Sequence, residues 1–138
     1  MKKFEKPYFI KLLSYPEYNG TLIPFYINSS FPKDFKLRRM FLLYGKSKQF
    51  RADHAHKKCS QIIVPLNGSI KVEIRNKFYK KIVNLNIKTK KLLVIPPYNW
   101  IKIFFKKNND SLLTLCNYKY DKKEYISDFE EFKKLIDK

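Results

Sequence analysis

The chain is poor in the residues that mark several common protein classes. Its 138 residues include only two cysteines, three glycines and one tryptophan. Two cysteines make neither a disulfide framework nor a metal-binding spacing, so we expect both thiols to be reduced and the protein to be cytoplasmic. No apolar run is long enough to span a membrane. The charged start of the sequence also lacks the apolar core of a signal peptide.

Acidic residues are scarce relative to basic ones. The chain has 12 Asp and Glu against 30 Lys and Arg, which gives a formal net charge of +18. Such a charge favours a negatively charged partner. However, only four of the basic residues are arginine, the residue that binds phosphate and guanine in bidentate geometry. We therefore expect a phosphorylated small ligand and no nucleic acid or membrane as partner.

The rest of the composition predicts one all-β domain over residues 1–138. Hydrophobic residues make up 44% of the chain and aromatic residues 17%, which is enough for a packed core. Short β-prone runs alternate with turn signals along most of the sequence. We expect strands at 8–14, 21–27, 36–44, 51–56, 60–66, 70–74, 77–85, 86–90, 92–95, 100–105 and 111–118. Many short strands without intervening helices indicate a sandwich or a barrel.

Three local patterns make more specific predictions. The apolar run 40–44 predicts a strand that is buried on both faces. The segment 67–69 reads Asn-Gly-Ser, a strong hairpin signal because Asn and Gly tolerate positive φ. A helical period appears only over 127–137, where 127–130 reads as a capping box. The apolar face of this C-terminal helix is formed by Phe129, Phe132 and Ile136.

The two histidines of the chain, His54 and His56, form the main candidate site. On an extended strand, residues i and i+2 point to the same side. Both imidazoles would then act on one small molecule. Imidazoles with a pKa of about 6.5 are suited to moving protons at neutral pH, so we predict that this pair is catalytic.

The spacing His54-x-His56, four residues, Gln61, six residues, Gly68 resembles the first motif of the cupin superfamily. This resemblance implies a cupin jelly roll, also called a double-stranded β-helix. Cupin metal sites use the two histidines, a Glu at the position of Gln61 and a His at the position of Ile101. A neutral amide and an alkyl group are poor replacements for those ligands. We therefore expect the pocket without the metal.

A closer resemblance is to the bacterial sugar 3,4-ketoisomerases, which are metal-free cupins. It is carried by Arg51-x-x-His54-Ala55-His56-Lys57, Gln61, Asn67-Gly68-Ser69 and Ile95-Pro96-Pro97-x-x-Trp100. The resemblance implies that dTDP-4-keto-6-deoxyglucose becomes a 3-keto sugar through an enediol, without a cofactor, for 3-amino sugars of surface glycans. It also implies a homodimer that exchanges N-terminal strands within residues 1–27. The chain departs from the family at Ala52, where Gly is usual.

Four further residues are candidate substrate-binding groups. Arg51 holds phosphate or sugar oxygens, or is a surface arginine. Gln61 lies beside the histidine pair in the motif. Tyr44 is a hydroxyl donor or a core aromatic residue, and Trp100 is a wall of the sugar pocket or part of the core. Cys59 is interpreted as a small strand residue and not as a nucleophile.

Three other functions remain open at the level of sequence. A non-catalytic cupin that binds a sugar nucleotide would keep the pocket without needing two histidines. An epimerase on the same substrate class would leave the carbonyl in place and invert a neighbouring carbon. A basic nucleic-acid-binding barrel would use segments such as 77–80 as stacking platforms, but it gives no reason for the histidine pair.

Overall fold

The computed structural model describes residues 4–26, 29 and 31–137. This part of the chain contains twelve β-strands and one α-helix. The strands are β1 (Tyr8–Lys11), β2 (Tyr15–Glu17), β3 (Gly20–Leu22), β4 (Arg39–Tyr44), β5 (Phe50–His56), β6 (Gln61–Asn67), β7 (Ile70–Arg75), β8 (Lys80–Leu85), β9 (Lys91–Ile95), β10 (Trp100–Phe105), β11 (Ser111–Cys116) and β12 (Tyr125–Ile126); the helix is α1 (Phe129–Ile136).

Ten of the strands form two antiparallel sheets of five strands each. The first sheet has the order β1-β9-β6-β11-β4, and the second has the order β12-β5-β10-β7-β8. Strands β2 and β3 form a separate hairpin. Consecutive strands therefore alternate between the sheets along much of the chain, as in a jelly roll. The expected all-β jelly roll with a short C-terminal helix is confirmed.

The main core lies between the two sheets. Each strand contributes alternate side chains to this layer, as the pattern of Ile70, Val72 and Ile74 on β7 shows. These side chains are at most 1% exposed. The other members are Ile63, Val83, Leu85, Leu93, Ile95, Ile101, Ile103, Phe105 and Leu112. One end of this layer is left open and forms the cavity described below.

Two smaller clusters cover the outer faces of the sheets. Phe31 and Phe35 pack on the outer face of the first sheet, so β6 is buried on both faces. Helix α1 packs on the outer face of the second sheet through Phe132 and Ile136. None of the helices in the described ranges is long and apolar enough to cross a bilayer.

The C-terminal helix begins one residue later than the capping box predicted. Asp128, rather than Ser127, is the N-cap, and its side chain accepts a hydrogen bond from the backbone N–H of Glu131 at 3.1 Å. An Asp is as good a cap as a Ser, so the sequence allowed both frames. The one-residue shift leaves the predicted buried face intact through Phe132 and Ile136.

Two strand predictions were wrong. Met40, Leu42 and Tyr44 are 59%, 55% and 66% exposed. Strand β4 is the edge of the first sheet and buries only one face, so its apolar run does not mean two-sided burial. Residues 86–90 form a 3₁₀ turn over Ile87–Thr89 and not a strand.

Several other strands are shorter than predicted. The predicted strand at 36–44 begins at Arg39, and the predicted strand at 77–85 begins at Lys80. The predicted strand at 21–27 corresponds to β3, which ends at Leu22. Residue 27 lies outside the described residues. The described residues at the shortened ends, 23–26, 36–38 and 77–79, lie in loops.

The Asn67-Gly68-Ser69 turn does not make a hairpin. It joins β6 in the first sheet to β7 in the second, and these two strands do not pair with each other. The positive φ of 74° at Gly68 is present as expected. The turn packs against Asp110, whose carboxylate accepts hydrogen bonds from the backbone N–H groups of Ser69 at 3.3 Å and Lys107 at 3.0 Å.

The close approach at Gly68 predicts that Gly68→Ala destabilises the fold. A Cβ there would lie 1.9 Å from Oδ1 of Asp110, and the left-handed backbone adds further strain. We expect the free energy of unfolding to fall by about 2–4 kcal/mol, measured by urea denaturation. Gly20→Ala is the matched control, because Gly20 has positive φ but open space. Equal losses in the two variants would contradict the role assigned to Asp110.

Candidate active site

A β-bulge in β5 positions the histidine strand. Ile101 on β10 pairs with His54, but the next residue, Lys102, pairs with Ala52. Asp53 is therefore an extra residue in β5, and the backbone of Ala52 (φ 69°) and Asp53 (φ 67°) is left-handed. L-amino acids pay about 1–2 kcal/mol per residue for this conformation. Glycine would adopt this positive φ without strain, which explains why the related sequences usually have glycine at the position of Ala52.

The bulge sends Asp53 and its neighbours to opposite faces of the second sheet. Oδ1 of Asp53 accepts a hydrogen bond from Nε1 of Trp100 at 3.0 Å on the outer face. Arg51, Ala52 and His54 all line a cavity on the inner face. A regular strand would have alternated these residues between faces. The bulge thus places the guanidinium of Arg51 on the same inner face as the imidazole of His54.

The cavity lies between the sheets at the open end of the core and has a volume of about 200 Å³. Its polar lining consists of Arg51, His54, Gln61, Thr114 and Tyr125, and its apolar lining consists of Phe41, Leu43, Ala52, Ile63, Ile101 and Ile103. Pockets for drug-sized ligands are larger, at about 300–1,000 Å³. The cavity therefore suits the reacting part of a ligand rather than a whole nucleotide.

His56 is held by a buried carboxylate. Nδ1 of His56 lies 2.5 Å from Oε1 of Glu124, and the two side chains are only 5% and 3% exposed. A neutral imidazole that bonds a carboxylate through Nδ1 carries its proton there, which leaves Nε2 with a free lone pair. Nε2 is buried and has no hydrogen-bond partner within the described part of the chain.

Glu124 is itself fixed by the turn that follows β5. Its second oxygen, Oε2, accepts hydrogen bonds from the backbone N–H groups of Lys57 and Lys58 at 3.1 Å and of Cys59 at 3.3 Å. Burial raises the pKa of Glu124, but the hydrogen bonds from His56 and from these amides outweigh burial and leave the pKa lowered. Glu124 is therefore an anion at neutral pH.

His54 has a different environment from His56. The two rings meet edge to face with centroids 5.0 Å apart. Burial, and then the neighbouring His56, lower the pKa of His54 from 6.5 to about 4. His54 is therefore a neutral imidazole at pH 7, with one nitrogen able to donate a hydrogen bond and the other able to accept one.

Tyr125 completes the cluster. Its ring centroid lies 4.3 Å from that of His56 and 5.0 Å from that of His54. Its hydroxyl accepts a hydrogen bond from Nη2 of Arg39 at 3.3 Å. Sequence reasoning missed Glu124 and Tyr125 because they reach the histidines through the pairing of β12 with the end of β5. It missed Arg39 because this residue lies on β4 of the other sheet and meets Tyr125 only in the folded structure.

The structure brings together some of the predicted site residues and separates others. Arg51, His54 and Gln61 line the cavity, whereas His56 does not line it but packs against the lining residues His54 and Tyr125. Tyr44 is 66% exposed and lies on the outer face of β4, away from the histidines. Trp100 lies on the outer face of the second sheet, where it packs against Phe129 and Phe132. Neither Tyr44 nor Trp100 lines the cavity.

Both cysteines are buried beside the site. Cys59 lies in the turn between β5 and β6, not in a strand as expected, and Cys116 ends β11. Sγ of Cys116 lies 3.9 Å from Nε2 of Gln61 and 3.8 Å from Nη2 of Arg39. The hydrogen bond from Cys59 lowers the pKa of Cys116, burial raises it, and the hydrogen bond from Arg39 lowers it further, so that the pKa lies below its usual range.

The donor atoms beside His56 do not make a good metal site. Ligand atoms of His56, Cys59 and Glu124 lie within 4.8 Å of one another. However, the carboxylate already bonds Nδ1 of His56 and three backbone amides. A divalent ion would have to break this network, and Gln61 and Ile101 stand where the cupin motifs supply a carboxylate and an imidazole.

The fold and site define a jelly-roll protein with a histidine pair, one member of which is bonded to a carboxylate, at a cavity of sugar-ring size. The family model FdtA, described as WxcM-like, C-terminal, matches residues 5–137. The chain belongs to this family. This assignment agrees with the ketoisomerase resemblance of the histidine motif.

The chain is also similar to characterised proteins over nearly its whole length. It is 29% identical over 120 residues to TDP-4-oxo-6-deoxy-alpha-D-glucose-3,4-oxoisomerase from Aneurinibacillus thermoaerophilus, with 86% of this chain and 84% of that protein covered. The crystal structure of QdtA, a sugar 3,4-ketoisomerase from Thermoanaerobacterium thermosaccharolyticum in complex with TDP, has a TM-score of 0.86 and 27% identity, covering 95% and 94% of the two chains. WlaRA, the TDP-fucose-3,4-ketoisomerase of Campylobacter jejuni, has a TM-score of 0.79 and 30% identity, covering 96% of each chain.

The lowered pKa of His54 predicts that acid destabilises the fold before the carboxylates titrate. The unfolded chain takes up a proton at His54 as the pH falls below about 6.5, whereas the folded protein does so only near 4. The free energy of unfolding should therefore fall between pH 6.5 and 4.5, by up to about 3 kcal/mol. Urea titrations across this range measure the slope.

His54→Asn is the control for this prediction, because the asparagine cannot titrate. Its stability should be flatter between pH 6.5 and 4.5 than that of the wild-type protein. The pKa of Glu124 is lowered, so loss of its contribution begins at lower pH and does not mask the effect. An identical slope in the variant and the wild type would contradict the assignment to His54.

Proposed function

We propose that this chain is a sugar nucleotide 3,4-ketoisomerase. Its substrate is dTDP-4-keto-6-deoxyglucose, and its product is a dTDP-3-keto-6-deoxyhexose. The observation that carries the proposal is the pairing of His56 with the buried Glu124, next to a neutral His54 on a small cavity. The family assignment and the activities named for the similar proteins support the same reaction.

His56 is the base in this proposal. Its Nε2 removes the C-3 proton, which is acidic because C-3 is next to the C-4 carbonyl. Glu124 holds the proton on Nδ1 and stabilises the positive charge that develops on the ring, as a buried carboxylate does for a catalytic histidine. The product of this step is an enediolate.

His54 is assigned to the sugar oxygens. Isomerisation also requires that the C-3 hydroxyl loses a proton and that the C-4 oxygen gains one. A neutral imidazole can accept the first proton on one nitrogen and donate the second from the other. The lowered pKa of His54 keeps it in the neutral form that this exchange requires.

The nucleotide lies outside the cavity in this proposal. A volume of about 200 Å³ accommodates the sugar ring, whereas the pyrophosphate and thymine extend toward the surface. Arg51 lines the cavity and is exposed, so its guanidinium can bind the pyrophosphate or sugar oxygens. Gln61 contributes a neutral hydrogen-bonding group at the base of the pocket. No metal or cofactor is needed for proton transfer next to a ketone.

A 3-keto sugar is the substrate type for amination at C-3. We therefore propose that the product supplies an aminotransferase that makes 3-amino sugars for surface glycans such as lipopolysaccharide O-antigen. The reaction is placed in the cytoplasm, where both buried thiols would stay reduced. The resemblance of the histidine motif to the sugar 3,4-ketoisomerases supports this placement.

The proposed reaction is tested by incubating the protein with dTDP-4-keto-6-deoxyglucose in heavy water and following the sugar by NMR. We expect a 3-keto product with deuterium at C-4, because the groups that carry the protons exchange with solvent. His54→Asn and His56→Asn should each lower turnover by a factor on the order of 10²–10⁴. Binding of thymidine diphosphate, measured by calorimetry, should stay nearly unchanged, and turnover should persist in chelator.

The other functions give different results in the same experiment. Two active Asn variants, or full retention of the C-3 hydrogen in every product molecule, would contradict the mechanism. Inversion of a carbon with the carbonyl still at C-4 would indicate an epimerase. Thymidine diphosphate binding without any change in the sugar would favour the non-catalytic binding protein.

We further propose that the protein is a homodimer. Edge strand β4 presents Met40, Leu42 and Tyr44 to solvent, each more than half exposed. Exposed apolar edges of this kind are usually covered. The hairpin of β2 and β3 carries Tyr18 and Leu22, which are 100% and 66% exposed. These surfaces suit each other across a two-fold axis.

The hairpin is the part of the N-terminal segment that is free to cross to a partner. Strand β1 pairs with β9 of its own chain, whereas β2 and β3 pair with each other. Of the strands within residues 1–27, we therefore propose that the β2–β3 hairpin is the part exchanged between the two chains of the dimer. Residues 1–3 and 27 lie outside the described residues.

Light scattering at micromolar concentration should give the mass of two chains. Leu42→Lys should weaken the dimer by about 10-fold or more, since it places a charge where the proposed interface would bury an apolar side chain. Ile82→Lys is the matched control, because Ile82 is 49% exposed on the outer face of the other sheet. A monomeric wild-type protein, or equal effects of the two substitutions, would contradict the proposed interface.

A further inference from the structure

We infer that Tyr125 is the acid that delivers a proton to C-4 of the sugar, and that Arg39 positions its hydroxyl. This inference rests on the proposed function and adds a group to its mechanism. The geometry behind it is the contact of the Tyr125 ring with His54, which lines the same cavity, and with His56, which packs against both rings. C-3 and C-4 of the sugar ring are bonded to each other, so the base that acts at C-3 and the acid that acts at C-4 must lie close together.

Tyr125 lies where an acid for this reaction is needed. It lines the same cavity as His54, and its ring centroid is 4.3 Å from that of His56. Backbone pairing fixes this position, because Tyr125 is paired with His56 in the ladder of β12 and β5. The ring is therefore held against the proposed base by the sheet itself.

The other polar groups of the cavity are less suited to protonate carbon. Gln61 and Thr114 carry an amide and an aliphatic hydroxyl and Arg51 carries a guanidinium, and none of these groups is a common general acid, whereas a tyrosine hydroxyl is. His54 is a neutral imidazole, since burial lowers its pKa to about 4, and its one proton serves the sugar oxygens. Tyr125 is the remaining cavity-lining group that can both give up a proton and recover it.

Arg39 is placed to stabilise the anion of Tyr125. Nη2 of Arg39 donates to the hydroxyl oxygen of Tyr125 at 3.3 Å, so the guanidinium stabilises the negative charge left when the proton departs. The guanidinium also lies over the rings of Phe41 and Tyr120, at 5.5 and 5.4 Å from their centroids. These contacts hold Arg39 in place. Arg39 acts through Tyr125 and is thus a positioning residue.

The proton balance closes with these groups. The C-3 proton moves to Nε2 of His56, the C-3 hydroxyl proton moves to His54, and His54 releases its original proton to the C-4 oxygen. The C-4 carbon takes its new hydrogen from the Tyr125 hydroxyl. The cycle then leaves His56 with an extra proton and Tyr125 without one. Proton transfer between them, directly or through water, restores the starting state.

A separate acid has a consequence that a single shared base does not have. If His56 both removed the C-3 proton and delivered it to C-4, a fraction of the product molecules would carry the original C-3 hydrogen at C-4. With Tyr125 as the acid, the hydrogen at C-4 comes from the tyrosine, which exchanges with solvent. Replacing Tyr125 should then impair proton delivery to C-4 without impairing proton removal from C-3.

The test compares two rates in heavy water for each variant by NMR. One is exchange of the C-3 hydrogen in recovered substrate, and the other is formation of the 3-keto product. Tyr125→Phe should lower product formation by a factor on the order of 10²–10⁴, while C-3 exchange stays within a few-fold of the wild type. His56→Asn should lose both. Circular dichroism and thymidine diphosphate binding should be unchanged in both variants.

Tyr79→Phe is the matched control for Tyr125→Phe. Tyr79 lies in the turn between β7 and β8, where its backbone N–H donates to Oδ1 of Asn76 at 2.9 Å, and it does not line the cavity, so both rates should stay at the wild-type level. Arg39→Met should lower product formation more than C-3 exchange, and Arg39→Lys should recover part of the loss. A purely structural role for Arg39 would change the two rates together.

Each outcome bears on the inference. Product formation by Tyr125→Phe within a few-fold of the wild type would overturn it, as would equal loss of exchange and product formation in a folded variant. Transfer of the original C-3 hydrogen to C-4 in most wild-type product molecules would also overturn it. If the wild-type protein shows neither exchange nor product, the proposed function itself has failed, which is a different result.

Discussion

The hydrogen bonds of one buried carboxylate connect the parts of this protein on which the site depends. Glu124 bonds Nδ1 of His56 and the three backbone amides that follow it. Its own backbone carbonyl accepts from the N–H of Lys57 at 2.8 Å. The 3₁₀ turn that carries Glu124 is capped by Asp121, whose side chain accepts from the N–H of Lys123. The C-terminal segment is thereby joined to the end of the histidine strand, and Tyr125 follows directly onto the edge of the sheet.

This arrangement gives the two histidines different chemistry although they are two residues apart. His56 has an anionic partner, whereas His54 has burial and a second imidazole as its main influences. One ring can therefore accept a proton from carbon while the other stays neutral. The distinction arises from partners on another segment and not from the His-x-His motif itself.

The bulge in β5 is a second constraint on the site. Two left-handed residues, Ala52 and Asp53, are unfavourable by themselves, but the hydrogen bond from Trp100 to Asp53 and the pairing with β10 hold them in place. Trp100 therefore supports the site from behind the sheet, beneath helix α1. Strain that is retained beside a cavity is common at functional sites.

The sequence alone determined the parts of this protein that depend on local pattern. Alternation on β7, the helical period after Asp128, and the His-x-His spacing followed the geometry of a single strand or helix, so the all-β class, the C-terminal helix and the histidine pair could be predicted. Which face of β4 is covered, which strands the Asn67-Gly68 turn connects, and where Tyr44 and Trp100 point could not be predicted. Each of these depends on neighbours that are distant in the chain. The tertiary structure alone decided that Glu124 and Tyr125 meet the histidines and that Arg39 meets Tyr125, because the contacts His56–Glu124 and Arg39–Tyr125 join residues 68 and 86 positions apart and leave no periodic signal in the sequence.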